Sequence, residues 1–163
     1  MASTYEPITT QTLSSAVAAV TISSIPATYT DLVLVMSFGA TNSIPSIHVR
    51  LNGDSAGNYS AMSMEGAGTS PASQRQSNAA QMVLQGFQGG SYTSPFINII
   101  HFNNYANTTT YKTVLSRHAS NATGAYVGLW RSTSAITSVT ITHDYLSTFT
   151  AGSTFTLYGI KAA

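Results

Sequence analysis

YKTVLSRH (Tyr111–His118), AYVGLWRS (Ala125–Ser132), ITSVTITH (Ile136–His143) and STFTLYGIK (Ser153–Lys161) follow one another, and their reading decides the fold. Each is rich in β-branched and aromatic residues, which suit a pleated, half-buried surface. Three of them alternate with period 2: Val127 shares a face with Leu129, Val139 with Ile141, and Phe155 with Leu157. The joints carry turn chemistry, at Asn121-Ala122-Thr123-Gly124, Ser132-Thr133-Ser134 and Thr150-Ala151-Gly152. The four read as a meander with one apolar face, and that face requires a second sheet from the residues before it.

Upstream, Phe96–Phe102 (FINIIHF) is a strand, with Phe96, Asn98, Ile100 and Phe102 on one side and Ile97, Ile99 and His101 on the other. Ile47, Val49 and Leu51 alternate with His48 and Arg50, and Asn52-Gly53-Asp54 then marks a turn. Leu32–Phe38 (LVLVMSF) is a continuous apolar run, the mark of a strand buried on both faces or covered by the N-terminal arm. Val17–Ile22, Tyr59–Met64 and Met82–Phe87 complete the strand set. Residues 1–12, with Pro7, read as an extended N-terminal arm, and residues 13–163 as a single domain. Gly66–Ala80 (GAGTSPASQRQSNAA) has loop composition and is the first candidate contact loop. No segment has 3.6-residue periodicity with caps, and no fixed-period repeat occurs. The expected fold is all-β: a two-sheet antiparallel, jelly-roll-like β-sandwich with an N-terminal arm.

Only 7% of the 163 residues are charged, against about a quarter in an ordinary soluble domain. Ser and Thr take their place at roughly a quarter of the chain. A hydroxyl-coated surface of net charge +1 has little self-repulsion, which favours life in an assembly. The six basic residues (Arg50, Arg75, Lys112, Arg117, Arg131, Lys161) are scattered, so no phosphate-tracking stripe points to nucleic acid. Without cysteine there are neither disulfides nor thiolate metal sites. MASTYEPITT lacks a basic and then apolar leader, so no signal peptide is expected, and no apolar run is long enough to span a membrane as a helix.

Reaction chemistry finds no foothold. Glu6, Asp31, Asp54, Glu65 and Asp144 are too scattered to nominate a carboxylate pair; Asp31 and Asp54 read as turn and strand-end caps. His48, His101, His118 and His143 lack the close His-and-Glu spacing of cupin-type metal sites and read as surface or hydrogen-bonded residues. Gly89-Gly90-Ser91 has no lysine to make a phosphate loop, and Leu51–Asn58 has one carboxylate where calcium wants several oxygen ligands. The triplets at Asn58, Asn107 and Asn121 match the glycosylation pattern at the level chance gives in a Ser/Thr-rich chain. No catalytic residue, cofactor or metal is expected.

Aromatic rings are the remaining binding chemistry. If Val127 and Leu129 face the core, Tyr126 and Trp130 face outward, as a subunit interface, a sugar platform, or a surface packed beneath the arm. The interface candidates are Tyr5 and Pro7 in the arm, Arg75 in the long loop, and Tyr126 with Trp130.

SSIPATYTDLVLV (Ser23–Val35), VRLNGD (Val49–Asp54) followed by NYS, KTVLSR (Lys112–Arg117), GLWRSTSAITSVTIT (Gly128–Thr142) and AGSTFTLYGIKAA (Ala151–Ala163) together resemble small virion proteins of tailed bacteriophages. Chains of this look occur as capsid decoration, or cement, proteins and as C-terminal parts of tail fibres. The resemblance implies a jelly-roll protein on the capsid surface, made in the host bacterial cytoplasm, a homotrimer whose partner is the major capsid protein. It carries no catalytic motif. The alternative it leaves open is a tail-fibre or receptor-binding module recognising a host surface glycan.

Overall fold

The computed structural model describes residues 4–41, 46–67, 69–85, 96–119, 122–143 and 147–161. Among them there is no helix. Twelve strands run β1 (Tyr5–Thr12), β2 (Ala19–Ile22), β3 (Asp31–Phe38), β4 (Ile47–Leu51), β5 (Tyr59–Ala67), β6 (Ser70–Ala79), β7 (Met82–Gln85), β8 (Phe96–Phe102), β9 (Lys112–Ala119), β10 (Thr123–Trp130), β11 (Val139–His143) and β12 (Thr154–Ile160). They form two antiparallel sheets, an eight-stranded one in the order β1-β12-β3-β8-β9-β10-β5-β6 and a four-stranded one in the order β2-β11-β4-β7. The expected two-sheet β architecture is what the chain adopts.

Strand alternation builds the core. Leu32, Leu34, Met36 and Phe38 of β3, and Phe96, Ile100 and Phe102 of β8, point inward from the large sheet. Val20, Ile22, Ile47, Val49, Leu51, Met82, Leu84, Val139 and Ile141 meet them from the small one. At the β3 end the filling is aromatic. Phe38 stacks on Phe96 at 5.3 Å between centroids, and Phe149 meets Phe38 edge-on at 5.5 Å and Phe155 at 4.9 Å. The Asn52-Gly53 turn after β4 has positive φ at both residues (54° and 68°), the geometry that favours this residue pair.

Four expectations are corrected. The meander does not form. β9 and β10 are neighbours, but β11 leaves for the small sheet between β2 and β4, and β12 returns to lie between β1 and β3. The strand expected from Ile136 starts only at Val139, because Asn52 captures the preceding backbone. Its Nδ2 donates to the Ala135 carbonyl (2.7 Å), and its Oδ1 accepts from the Thr137 and Ser138 amides (2.8 and 3.1 Å). The supposed arm is a strand: β1 pairs along β12 from Tyr5↔Ile160 to Thr12↔Thr154, and Glu6 bonds the Lys161 ammonium at 2.8 Å. Pro7 fits there because an edge strand, with a bulge between Pro7 and Thr9, does not need every amide. The supposed contact loop is β6, hairpin partner of β5. Its Ser- and Gln-rich sequence suits an edge strand with one neighbour and a wet exterior. Arg75 therefore stands on a strand. The turn at Gly89-Gly90-Ser91, Phe87, Asn121 and Asp144 lie outside the described residues.

Candidate interaction face

β10 faces the opposite way from the sequence expectation. Tyr126 and Trp130 are each 2% exposed, whereas Val127 is 47% exposed. The aromatics lie inside because that side has room and hydrogen-bond partners for them. β7 crosses over Gly128, where an added Cβ would stand 2.5 Å from the Met82 sulfur. A small residue there, between two large ones, lets the sheets interdigitate. Trp130 stacks on Tyr59 at 6.3 Å and donates its indole N–H to Asp54 Oδ2 at 2.7 Å. That bond, with a second from Asn58, holds the Asp54 carboxyl below its usual range. Asp54 also accepts from the Ala56 amide (2.9 Å), and Asp31 Oδ1 from the Asn104 amide (2.6 Å), so both act as the expected caps.

The reversal leaves the outer face apolar. Because every pair in this sheet is antiparallel, one register row can be followed from edge to edge: Arg75, Met62, Val127, Leu115, His101, Val33, Tyr158 and Pro7, on β6, β5, β10, β9, β8, β3, β12 and β1. The next row reads Ser73, Met64, Ala125, Arg117, Ile99, Val35, Thr156 and Thr10 along the same strands. Met62, Met64, Val127, Leu115 and, on β8, Ile97 are large apolar side chains left exposed. Neither row contains a carboxylate, and Arg75 and Arg117 are its guanidinium groups. Burial holds the His101 imidazole below its ordinary pKa, and Arg117 beside it acts in the same direction.

Of the residues singled out from the sequence, Pro7 and Arg75 thus lie at the two ends of one row. Tyr5 is exposed at the same edge, its ring edge-on to Tyr158 at 6.4 Å. Tyr126 and Trp130 belong to the core. Sequence reasoning missed Met62, Met64, Leu115 and Ile97. In β5 the methionines alternate with Tyr59, Ala61, Ser63 and Glu65, and these four are the buried set. Alternation alone assigns the more apolar set to the inside and fails here.

Under β5, β9 and β10 the interior is polar. Ser116 Oγ lies 2.9 Å from the Leu84 carbonyl oxygen and 2.8 Å from Asn98 Oδ1, one hydroxyl donor shared by two acceptors. Glu65 and His118 are buried on either side of Gly124 in a single register row, and burial depresses the His118 pKa. His143 lies against Phe149 at 4.1 Å, and burial, with a smaller push from His48, takes its pKa down to about 4. The four histidines do not converge, and the described residues contain no group of three or more side chains able to hold a metal ion. Lys112 is also buried, its ammonium donating to the Thr110 and Thr133 carbonyls at 2.8 and 3.2 Å.

No protein-family model matches this chain, and no curated protein matches it. Among solved structures it is similar to a protein of unknown function from Shewanella oneidensis MR-1, at 12% identity and a TM-score of 0.19. The match covers 86% of this chain and 62% of that one, less than two thirds of its length. A likeness that remote carries no argument.

Proposed function

We propose that this chain is a non-enzymatic virion structural protein of a tailed phage: a capsid decoration protein that binds the outer capsid as an oligomer, a homotrimer, and stabilises it. The observation that carries the reading is the exposed apolar patch of Met62, Met64, Val127, Leu115 and Ile97 on the large sheet, in a chain with few charges. An apolar patch of this kind on a protein surface is often functional, and contact with another protein is one of its uses. The strand segments that resemble small virion proteins point the same way. So does the winding: β2, β3, β4 and β5 alternate between the sheets, as do β7 and β8, which fits a jelly roll with the β9–β10 hairpin inserted. On this reading the partners are copies of the chain and the major capsid protein, on a particle built in the bacterial cytoplasm.

A ligand that binds only the assembled shell raises the cost of local opening. Particles lacking the chain are therefore expected to lose integrity at a lower temperature than decorated ones, and to recover when the purified protein is added back. Equal heat resistance in both would refute the cementing role. The alternative is a tail-fibre module recognising a host glycan through loops and aromatics; the burial of Tyr126 and Trp130 removes that pair both as a sugar platform and as a subunit interface. Binding to a glycan array without affinity for capsids would decide for the alternative.

A further inference from the structure

The outer face has a charge pattern that discriminates between possible occupants. Its centre is Met62, Met64, Val127 and Leu115 on three adjacent strands, β5, β10 and β9. Arg117 sits inside this surface, opposite Ala125 on one side and Ile99 on the other, and Arg75 closes it at the β6 end opposite Met62. Neither guanidinium has an ion-pair partner among the described residues. The described carboxylates are engaged elsewhere or face the interior: Glu6 at Lys161, Asp31 at Asn104, Asp54 at Trp130, and Glu65 on the inner side.

Stacking two copies of this face would bring arginine toward arginine in a dry gap with no counter-charge. A buried charge without a partner is costly, and like charges across an interface act against it. A surface offering apolar contact with interspersed carboxylates removes that cost, and Arg suits it through bidentate pairing. From β6 to β8 the face spans four strand spacings, about 19 Å, which gives a few hundred Å² and less than the roughly 800 Å² per partner of a standard stable interface. One contact of this size is weak. Many copies linked as an oligomer on a repeating lattice multiply it through effective concentration.

We propose that the outer face of β5, β10, β9 and β8, with Arg75 and Arg117, docks onto an acidic, apolar patch of another protein and not onto a second copy of this chain. Building on the decoration reading, it identifies that protein as the capsid subunit of the assembled shell. The test uses purified full chain and phage particles depleted of it, with bound protein measured by co-sedimentation. Val127→Lys and Arg117→Glu each lower binding by tenfold or more, Arg117→Lys by severalfold at most, and raised salt weakens wild-type binding. Circular dichroism and the wild-type oligomeric state are unchanged in all three variants. If wild type binds and Val127→Lys and Arg117→Glu bind equally well, another surface docks, and the decoration reading survives without this face. If wild type does not bind at all, the decoration reading fails and takes the named partner with it. If the variants instead dissolve a wild-type oligomer, the face is a contact between copies and the acidic-partner assignment is overturned.

Discussion

On the inner face of the eight-stranded sheet, Phe38 and Phe155 close on Phe149 while Phe96 stacks on Phe38, all within one apolar cluster. On the outer face of the same sheet, Met62, Val127 and Leu115 stand in register on β5, β10 and β9, exposed, with none of the described residues covering them. The residue types are similar; what differs is the cover. Side chains of the first kind hold the fold together, while those of the second leave it almost indifferent and are available to something else. The contrast can be broken or sharpened by measurement.

The largest effect belongs to Phe149→Ala. Phe149 is fully buried, and its backbone pairs with Val17 and Ala40 where the chain crosses between strands. The substitution is expected to cost about 4 kcal/mol, a transfer loss plus a cavity term, read from the denaturant midpoint. Acid comes next. The folded His143 titrates near 4, against an ordinary 6.5, so at pH values between these the unfolded chain binds a proton that the folded chain refuses. Stability is therefore complete above 6.5 and falls as pH drops toward 4, by about 3 kcal/mol for this one group. His118 adds a loss of the same sign. His143→Phe is expected to flatten the slope in that window; an unchanged slope would assign it elsewhere.

Smaller still is Ser116→Ala, which removes the donor serving Asn98 and the Leu84 carbonyl, for about 1–2 kcal/mol by thermal or chemical unfolding. Val127→Thr and Met62→Thr should lie within about 0.5 kcal/mol of wild type, as exposed sites do. A loss of several kcal/mol at either would mean that the outer face is covered within the chain itself.

Much of this fold was legible in residue order. β8 alternates as written, β12 buries Phe155 and Leu157 as expected, and the Asn52-Gly53 turn sits where its residue pair marks it. Which side of a strand faces inward was legible only where the two sides differ sharply in polarity. In β10 both sides are apolar, and the choice fell to Met82 and Leu84, which come from a strand some 40 residues earlier and pack over Gly128. In β5 the interior accepted Ser63 and Glu65, which share register rows with the buried Ser116 and His118 of β9 across β10 in the same sheet. β6 escaped notice because an edge strand with a wet exterior needs no apolar alternation. The exposed apolar face was not legible either, since it consists of what those long-range choices left outside.

Placing β12 between β1 and β3 has a consequence for how the chain comes to be built. Of the twelve strands it is the final one to leave the ribosome, yet it joins the first to one of the most apolar, and the Lys161 amide reaches back to the Thr4 carbonyl. Until it arrives, β3 presents a bare, greasy border and β1 has no neighbour to hold it. Closure therefore awaits the synthesis of β12, and nascent chains stalled before Thr154 should be the species that chaperones engage and that clump together.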